Sequence, residues 1–218
     1  KVNYFNYGFD ALINFDFKID AANDYEFVFH KYDSLLNQTH KNISILNYIS
    51  SHDDSQPFDI ERKEPIKSAN MLLLAPGGVQ TYYGDETARP LVVEGAVGDA
   101  NLRSFMNWSS IEDSETKQIL THWQKLGQFR KSHPAIGLGT HKLLQTEPYF
   151  FSRTYESDVV IIGLDLIQDQ EIEIQIPTQW LTIEKWYDSY SNRWFTAQNG
   201  IVHLKTNQST VLLSPEFP

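Results

Sequence analysis

"ISILNYISSHDD" occupies residues 43–54. Ile43–Ile49 is apolar and β-branched, as a buried strand requires, and it stops abruptly at Ser50, Ser51, His52, Asp53 and Asp54. Strand-like segments flank it at 11–17 ("ALINFDF") and 79–83 ("VQTYY"). Between them lie helical patterns. Residues 25–39 carry apolar side chains at 27, 28, 29, 32, 35 and 36, one face of a helix. Pro65 suits the first turn of a second helix, which runs through "IKSANMLLLA" until "PGG" stops it. A third helix is expected over 114–132, with Ser114 as its cap and a stripe of Ile119, Leu120, Trp123, Leu126 and Phe129. Strand–helix alternation of this kind implies a parallel α/β sheet.

In such sheets ligands bind outside the carboxyl ends of the strands. Three strand ends therefore matter: Ser51 to Asp54 after the run at 43–49, Gly84-Asp85-Glu86 after Tyr83, and Asp16 with Lys18 after Phe15. His52-Asp53 reads either as a solvated loop with an Asx turn or as a carboxylate aimed into a cleft, with a histidine donor beside it. Gly84-Asp85-Glu86 reads as a tight turn, its acids opening the next segment. Tyr82, Tyr83 and Trp108 suit either sugar stacking or core packing.

Beyond "HPAIGLG" (133–139) the pattern becomes short β-type runs separated by turn signals such as Asn199-Gly200. The expected organisation is an α/β domain over 1–137 and an all-β sandwich over 138–218.

Bulk properties narrow the chemistry. The 218 residues are 41% hydrophobic and 13% aromatic, enough for a packed core. Eighteen Lys and Arg against 28 Asp and Glu give a net charge of −10, which argues against a nucleic-acid partner. No cysteine is present, so disulfide scaffolds and thiolate metal sites are excluded. The longest strongly apolar run, "MLLLA" at 71–75, is far short of the roughly 20 residues of a membrane span. His30, His40, His122, His133 and His141 lack zinc-ligand spacing, and the acidic pairs lack calcium-loop order. There is no phosphate loop and no G-x-S-x-G elbow. Sequons at Asn37, Asn42, Asn107 and Asn207 carry no weight without a secretory context. The opening "KVNYFNYGFD" lacks Met and starts mid-pattern, so a fragment or processed product is expected.

Several stretches together carry a resemblance. "NYISSHDD" resembles the signature region of the α-amylase family (glycoside hydrolase family 13) in which a strand ends in Asn-His-Asp. "APGGVQTYYGDE" is similar to that family's "PG-x-P-x-x-YYGDE", "GDANLRSFMNW" to its "R-x-x-M-x-W", and "GFDALINFDF" to its sixth-strand segment. "LGQFRKSHPAIGLGTH" and "FFSRTYESDVVIIGLDL" resemble the passage into the family's C-terminal β-domain. The matches follow the family's order across the chain. Three departures stand out: Ser51 replaces the asparagine, Asp54-Ser55-Gln56-Pro57 carries no arginine, and Gln80 replaces a proline.

The resemblance implies part of a TIM (β/α)8 barrel, about strands six to eight, followed by an antiparallel Greek-key β-sandwich. It implies a retaining hydrolase of α-1,4-glucans or maltooligosaccharides, a starch-type substrate class. Asp53 matches the transition-state-stabilising aspartate and His52 the sugar-binding histidine. The nucleophile, the acid/base and the family's calcium ligands would lie upstream, so no cofactor or calcium site is expected here and the fragment alone should be inactive. Three strands cannot close a barrel, so the missing N-terminal barrel half or self-association is an expected partner. An exported bacterial protein is the expected location. The competing reading is a non-catalytic carbohydrate-binding or accessory protein on an amylase-like scaffold, which the Ser51 departure favours.

Overall fold

The computed structural model describes residues 4–39, 43–54 and 56–215; Lys1 to Asn3, His40, Asn42 and Ser55 lie outside them. The chain divides into two compact units, Lys1–Gln128 and Phe129–Pro218.

The first unit contains a parallel sheet of β1 (Ala11–Asn14), β2 (Ser44–Asn47) and β3 (Gly78–Val79), in that order. Ala11 to Asn14 pair with Ser44 to Asn47, and Leu46 and Asn47 with Gly78 and Val79. Asn47 is fully buried at the centre, where Asn14 donates to it at 2.7 Å and it donates to the Pro76 carbonyl at 2.8 Å. Its polar atoms are thus satisfied inside the sheet.

Three strands are shorter than their sequence patterns suggest. The run expected over 43–49 is a strand only over Ser44–Asn47. The strand expected over 11–17 ends at Asn14, because the Asp16 carbonyl accepts from the Ile19 and Asp20 amides and opens α1 (Phe17–Asp20). The strand expected over 79–83 is only Gly78–Val79. Gln80 still donates to the Asn47 carbonyl, but the Asp85 carboxylate then takes the Tyr82 amide at 3.2 Å and turns the chain.

The crossovers are helical. α2 (Tyr25–Asp33) is capped by Asp24, which accepts from the Phe27 amide at 2.7 Å, and it buries Tyr25, Val28, Phe29 and Tyr32. A π-helical stretch, Ser34–Thr39, continues it. α3 (Pro65–Leu73) starts with proline in its first turn and is buried almost all round. α4 (Ser114–Ser132) has the expected span, with Ile119, Trp123, Leu126 and Phe129 buried. On its outer side β1 has no hydrogen-bonded strand among the described residues, and Phe9, Ile13 and Phe15 are exposed there. Parallel sheets normally have both faces covered.

The second unit begins with the end of α4 and α5 (Ala135–Leu138). Eight strands follow: β4 (Thr140–Gln145), β5 (Tyr149–Tyr155), β6 (Asp158–Leu164), β7 (Glu171–Gln175), β8 (Lys185–Asp188), β9 (Arg193–Gln198), β10 (Ile201–Lys205) and β11 (Val211–Ser214). All pairings are antiparallel, in the order β4-β5-β6-β11-β8-β9-β10-β7. The strands are therefore hydrogen-bonded in one continuous series, and its end strands β4 and β7 meet. β7 and β10 alternate cleanly: Ile172 and Ile174 face Leu204 and Val202 inside, while Glu173 faces His203 outside. Trp186, Phe150, Ile161 and Leu213 complete one shared core. A 3-10 turn over Thr178–Trp180 and a turn closed by the Ile183 amide on the Trp180 carbonyl lead into β8. The Asn199-Gly200 signal is realised with φ of 51° and 77°, the left-handed pair a tight hairpin needs.

Candidate active site

Tyr48, Ile49, Ser50 and Ser51 are buried, and the next two residues, His52 and Asp53, are open to solvent. The side chains of His52 and Asp53 are 63% and 61% exposed. Ser51 Oγ donates to Asp53 Oδ1 at 3.1 Å, and His52 Nε2 lies 3.6 Å from Asp53 Oδ2. The tip of β2 thus presents a carboxylate with an imidazole and a hydroxyl beside it, able to accept hydroxyl donors or to stabilise positive charge.

Asp54 has the opposite environment. Its carboxylate pairs with Lys18 Nζ and accepts from Tyr48 Oη at 2.8 Å and the Gln56 amide at 3.1 Å. The Lys18 and Asp54 side chains are only 9% and 15% exposed. Burial pushes the Asp54 carboxyl up, but the hydrogen bonds from Lys18, Tyr48 and Gln56 and the Lys18 charge outweigh it, so its pKa lies below the ordinary value. Burial and the Asp54 bond push the Tyr48 phenol up. Lys18 follows β1, so this pair ties the tips of two adjacent strands.

Asp85 is equally withdrawn. Its Oδ1 accepts from Ser50 Oγ at 2.6 Å and from Arg62 Nη2 at 2.7 Å. It therefore links the tip of β2 to the segment after β3. Gly84, just before it, has φ of +85°, and a Cβ there would sit 2.5 Å from Arg89 Cβ. Only glycine fits both the backbone and the space. Arg89 is fully buried, 4.0 Å over the Tyr83 ring, and its guanidinium donates to the Tyr83, Ser104 and Leu102 carbonyls and to Ser104 Oγ. It holds the 98–104 segment, from which Arg103 Nε donates to the His52 carbonyl at 2.9 Å.

The sequence expectations thus divide. His52 and Asp53 sit together at the tip, and Asp54, grouped with them at the strand end in the sequence, is an anchor. Tyr83 is half-exposed and stacked on Arg89, and Trp108 is exposed. The anchors Arg62 and Arg89 carry no spacing signal, whereas Arg103 is the arginine of the "R-x-x-M-x-W" stretch, a pattern that does not reveal its bond to the His52 carbonyl. Among the described residues no group of three or more His, Asp or Glu could hold a metal ion. His122 bonds Asn70, His133 bonds Asp158 and His141 packs on Phe151. Among the described residues no helix is long and apolar enough to cross a membrane.

The chain is 38% identical over 164 residues to the periplasmic α-amylase of Escherichia coli K12, an alignment covering 73% of this chain and 23% of that protein. It thus spans less than a quarter of that relative's length. The α-amylase of Geobacillus thermoleovorans, solved with acarbose, superposes with a TM-score of 0.70 at 14% identity, over 97% of this chain and 49% of that one. An Anoxybacillus α-amylase gives 0.67 at 19% identity, over 99% and 49%. At those identities the structures establish a shared fold. No family model matches the chain. The sequence relationship, spread over most of the chain and accompanied by the same fold, means that this chain belongs to the α-amylase family.

Proposed function

We propose that the chain is the C-terminal part of a retaining glycoside hydrolase acting on α-1,4-glucans or maltooligosaccharides, with Asp53 as its transition-state-stabilising carboxylate and His52 as a sugar-binding donor. One observation carries this reading: at the tip of β2, Asp53 is open and unsaturated, whereas its neighbours Asp54 and Asp85 are committed to buried cations. Residues 1–137 then supply about strands six to eight of a (β/α)8 barrel, and 138–218 a Greek-key β-sandwich. Three parallel strands joined by helical crossovers, and the likeness to solved α-amylases, support that division.

In the reaction, an upstream aspartate attacks the anomeric carbon while an upstream glutamate protonates the leaving oxygen. Water then releases the glycosyl-enzyme, the glutamate now acting as base. Asp53 accepts hydrogen bonds from ring hydroxyls and stabilises the oxocarbenium-like charge, more strongly in the transition state than in the ground state. His52 donates to a neighbouring hydroxyl. The residues described here hold no cluster fit for calcium, so no step is assigned to a metal in this chain. The missing N-terminal barrel half is the structural partner. Its absence from this chain predicts that the 218 residues alone are inactive. The periplasmic relative supports an exported protein.

Proton NMR of maltoheptaose digested by the encoded full-length protein tests the reading. The expected product is initially the α-anomer; an initial β-anomer, or no cleavage, would overturn it. Cleavage by the purified 218-residue chain would overturn the claim that it lacks the nucleophile.

A further inference from the structure

We propose that Asp54 is a positioning residue: clamped by Lys18 and Tyr48, it fixes the tip of β2 so that Asp53 keeps one orientation toward a bound α-glucoside. The inference rests on the reading of Asp53 given above. Asp53 is poorly restrained by its own contacts, one 3.1 Å hydrogen bond from Ser51 and a 3.6 Å approach of His52, with most of the carboxylate in solvent. Its orientation must therefore come from the backbone that carries it. Three anchors reach that backbone. Ser50 bonds Asp85, but two residues intervene before Asp53. Arg103 bonds the His52 carbonyl, but Arg103 is itself more than half exposed and its own carboxylate partner is 3.9 Å away. Asp54 is adjacent to Asp53, largely withdrawn from water, and saturated by an ammonium, a phenol and an amide.

The chemistry of the clamp separates positioning from stabilisation. A largely buried ion pair is a poor way to stabilise a fold, because desolvation offsets much of its attraction, and a neutral pair of similar volume often serves as well. What the charges add is geometry. The ammonium, the phenol and the amide converge on one carboxylate and leave it a single arrangement. Lys18 follows β1 and Asp54 follows β2, so the clamp references the Asp53 peptide to two parallel strands at once. Held groups of this kind are what a catalytic carboxylate requires, since a displacement of about 1 Å can cost on the order of a hundredfold in rate.

The paired variant Lys18→Met/Asp54→Asn removes both charges while keeping the volumes, so the fold is retained. NMR order parameters of the 218-residue chain read the clamp without any assumption about activity. At His52 and Asp53 they should fall from about 0.85 to below about 0.6, with those of residues 44–47 unchanged. Unchanged values at the tip, or an equal fall along β2, would overturn the proposal. In the full-length protein the same pair should lower kcat about 10- to 100-fold with KM within roughly threefold, and Lys18→Arg should retain most of kcat. An unchanged kcat, or a loss confined to KM, would overturn it as well. A wild-type protein without glycosidase activity would overturn the functional reading alone, and the order parameters would still decide whether the clamp holds the tip.

Discussion

Asp53 and Asp54 are adjacent in sequence and opposite in chemistry. Both are carboxylates at the end of one strand, yet one faces solvent and the other is locked to Lys18. The change from apolar run to polar tip was legible, because a strand that ends in Ser-Ser-His-Asp must release its side chains from the core there. The division of labour between the two acids was not, because Lys18 lies 36 residues from Asp54 and only the parallel pairing of β1 with β2 brings them together. Asp85 shows the same limit. Its place after a glycine suggested a surface turn, but Arg62 and Ser50 converge on it from elsewhere in the chain. Removing one partner of the buried Arg62–Asp85 pair leaves an uncompensated charge. Arg62→Met should therefore cost about 3–5 kcal/mol, measured as a shift in the urea midpoint. Gly84→Ala should cost at least about 2 kcal/mol, since the left-handed backbone and the contact with Arg89 act together.

At the scale of elements, long periodic segments were read well and short ones poorly. α4 has the span its stripe implied, because a 19-residue amphipathic pattern leaves few alternatives. β1 and β3 stop early because Asp16 and Asp85 supply competing turn hydrogen bonds that apolar patterning does not record. The joint between α3 and α4 has a pH signature. His122 on α4 bonds Asn70 on α3 at 2.9 Å and is buried. Burial, reinforced by the nearby Lys125 charge and only partly offset by a hydrogen bond to the Ile66 backbone, lowers its pKa to about 4. The unfolded chain takes up the proton below about pH 6.5 and the folded chain only near pH 4, so stability falls as pH drops through that window. The loss should approach about 3 kcal/mol. Urea unfolding at pH 7 and pH 4.5 should show it in the wild type, and His122→Gln should reduce the difference; an equal difference in both would contradict the assignment.

At the scale of the whole molecule, the change of pattern near residue 137 announced two regimes, and the coordinates divide at Gln128/Phe129, inside α4. Periodicity cannot locate such a division, because one continuous helix serves both units. What the chain leaves open matters as much as what it packs. Phe9, Ile13 and Phe15 stand exposed beside an edge of β1 that has no hydrogen-bonded strand among the described residues. An edge of this kind invites association. Light scattering should therefore find the isolated 218-residue chain self-associated at micromolar concentration, against the repulsion of a net charge of −10. A monomer throughout a dilution series would contradict that expectation. The central claim is narrower and concerns the carboxylate at the tip of β2. Its most direct test is kcat of the encoded full-length protein on a maltooligosaccharide, before and after Asp53→Asn. The account predicts a fall of at least about a thousandfold with the fold intact, because the charge that meets the developing oxocarbenium is removed. Turnover within about tenfold of the wild type would contradict it.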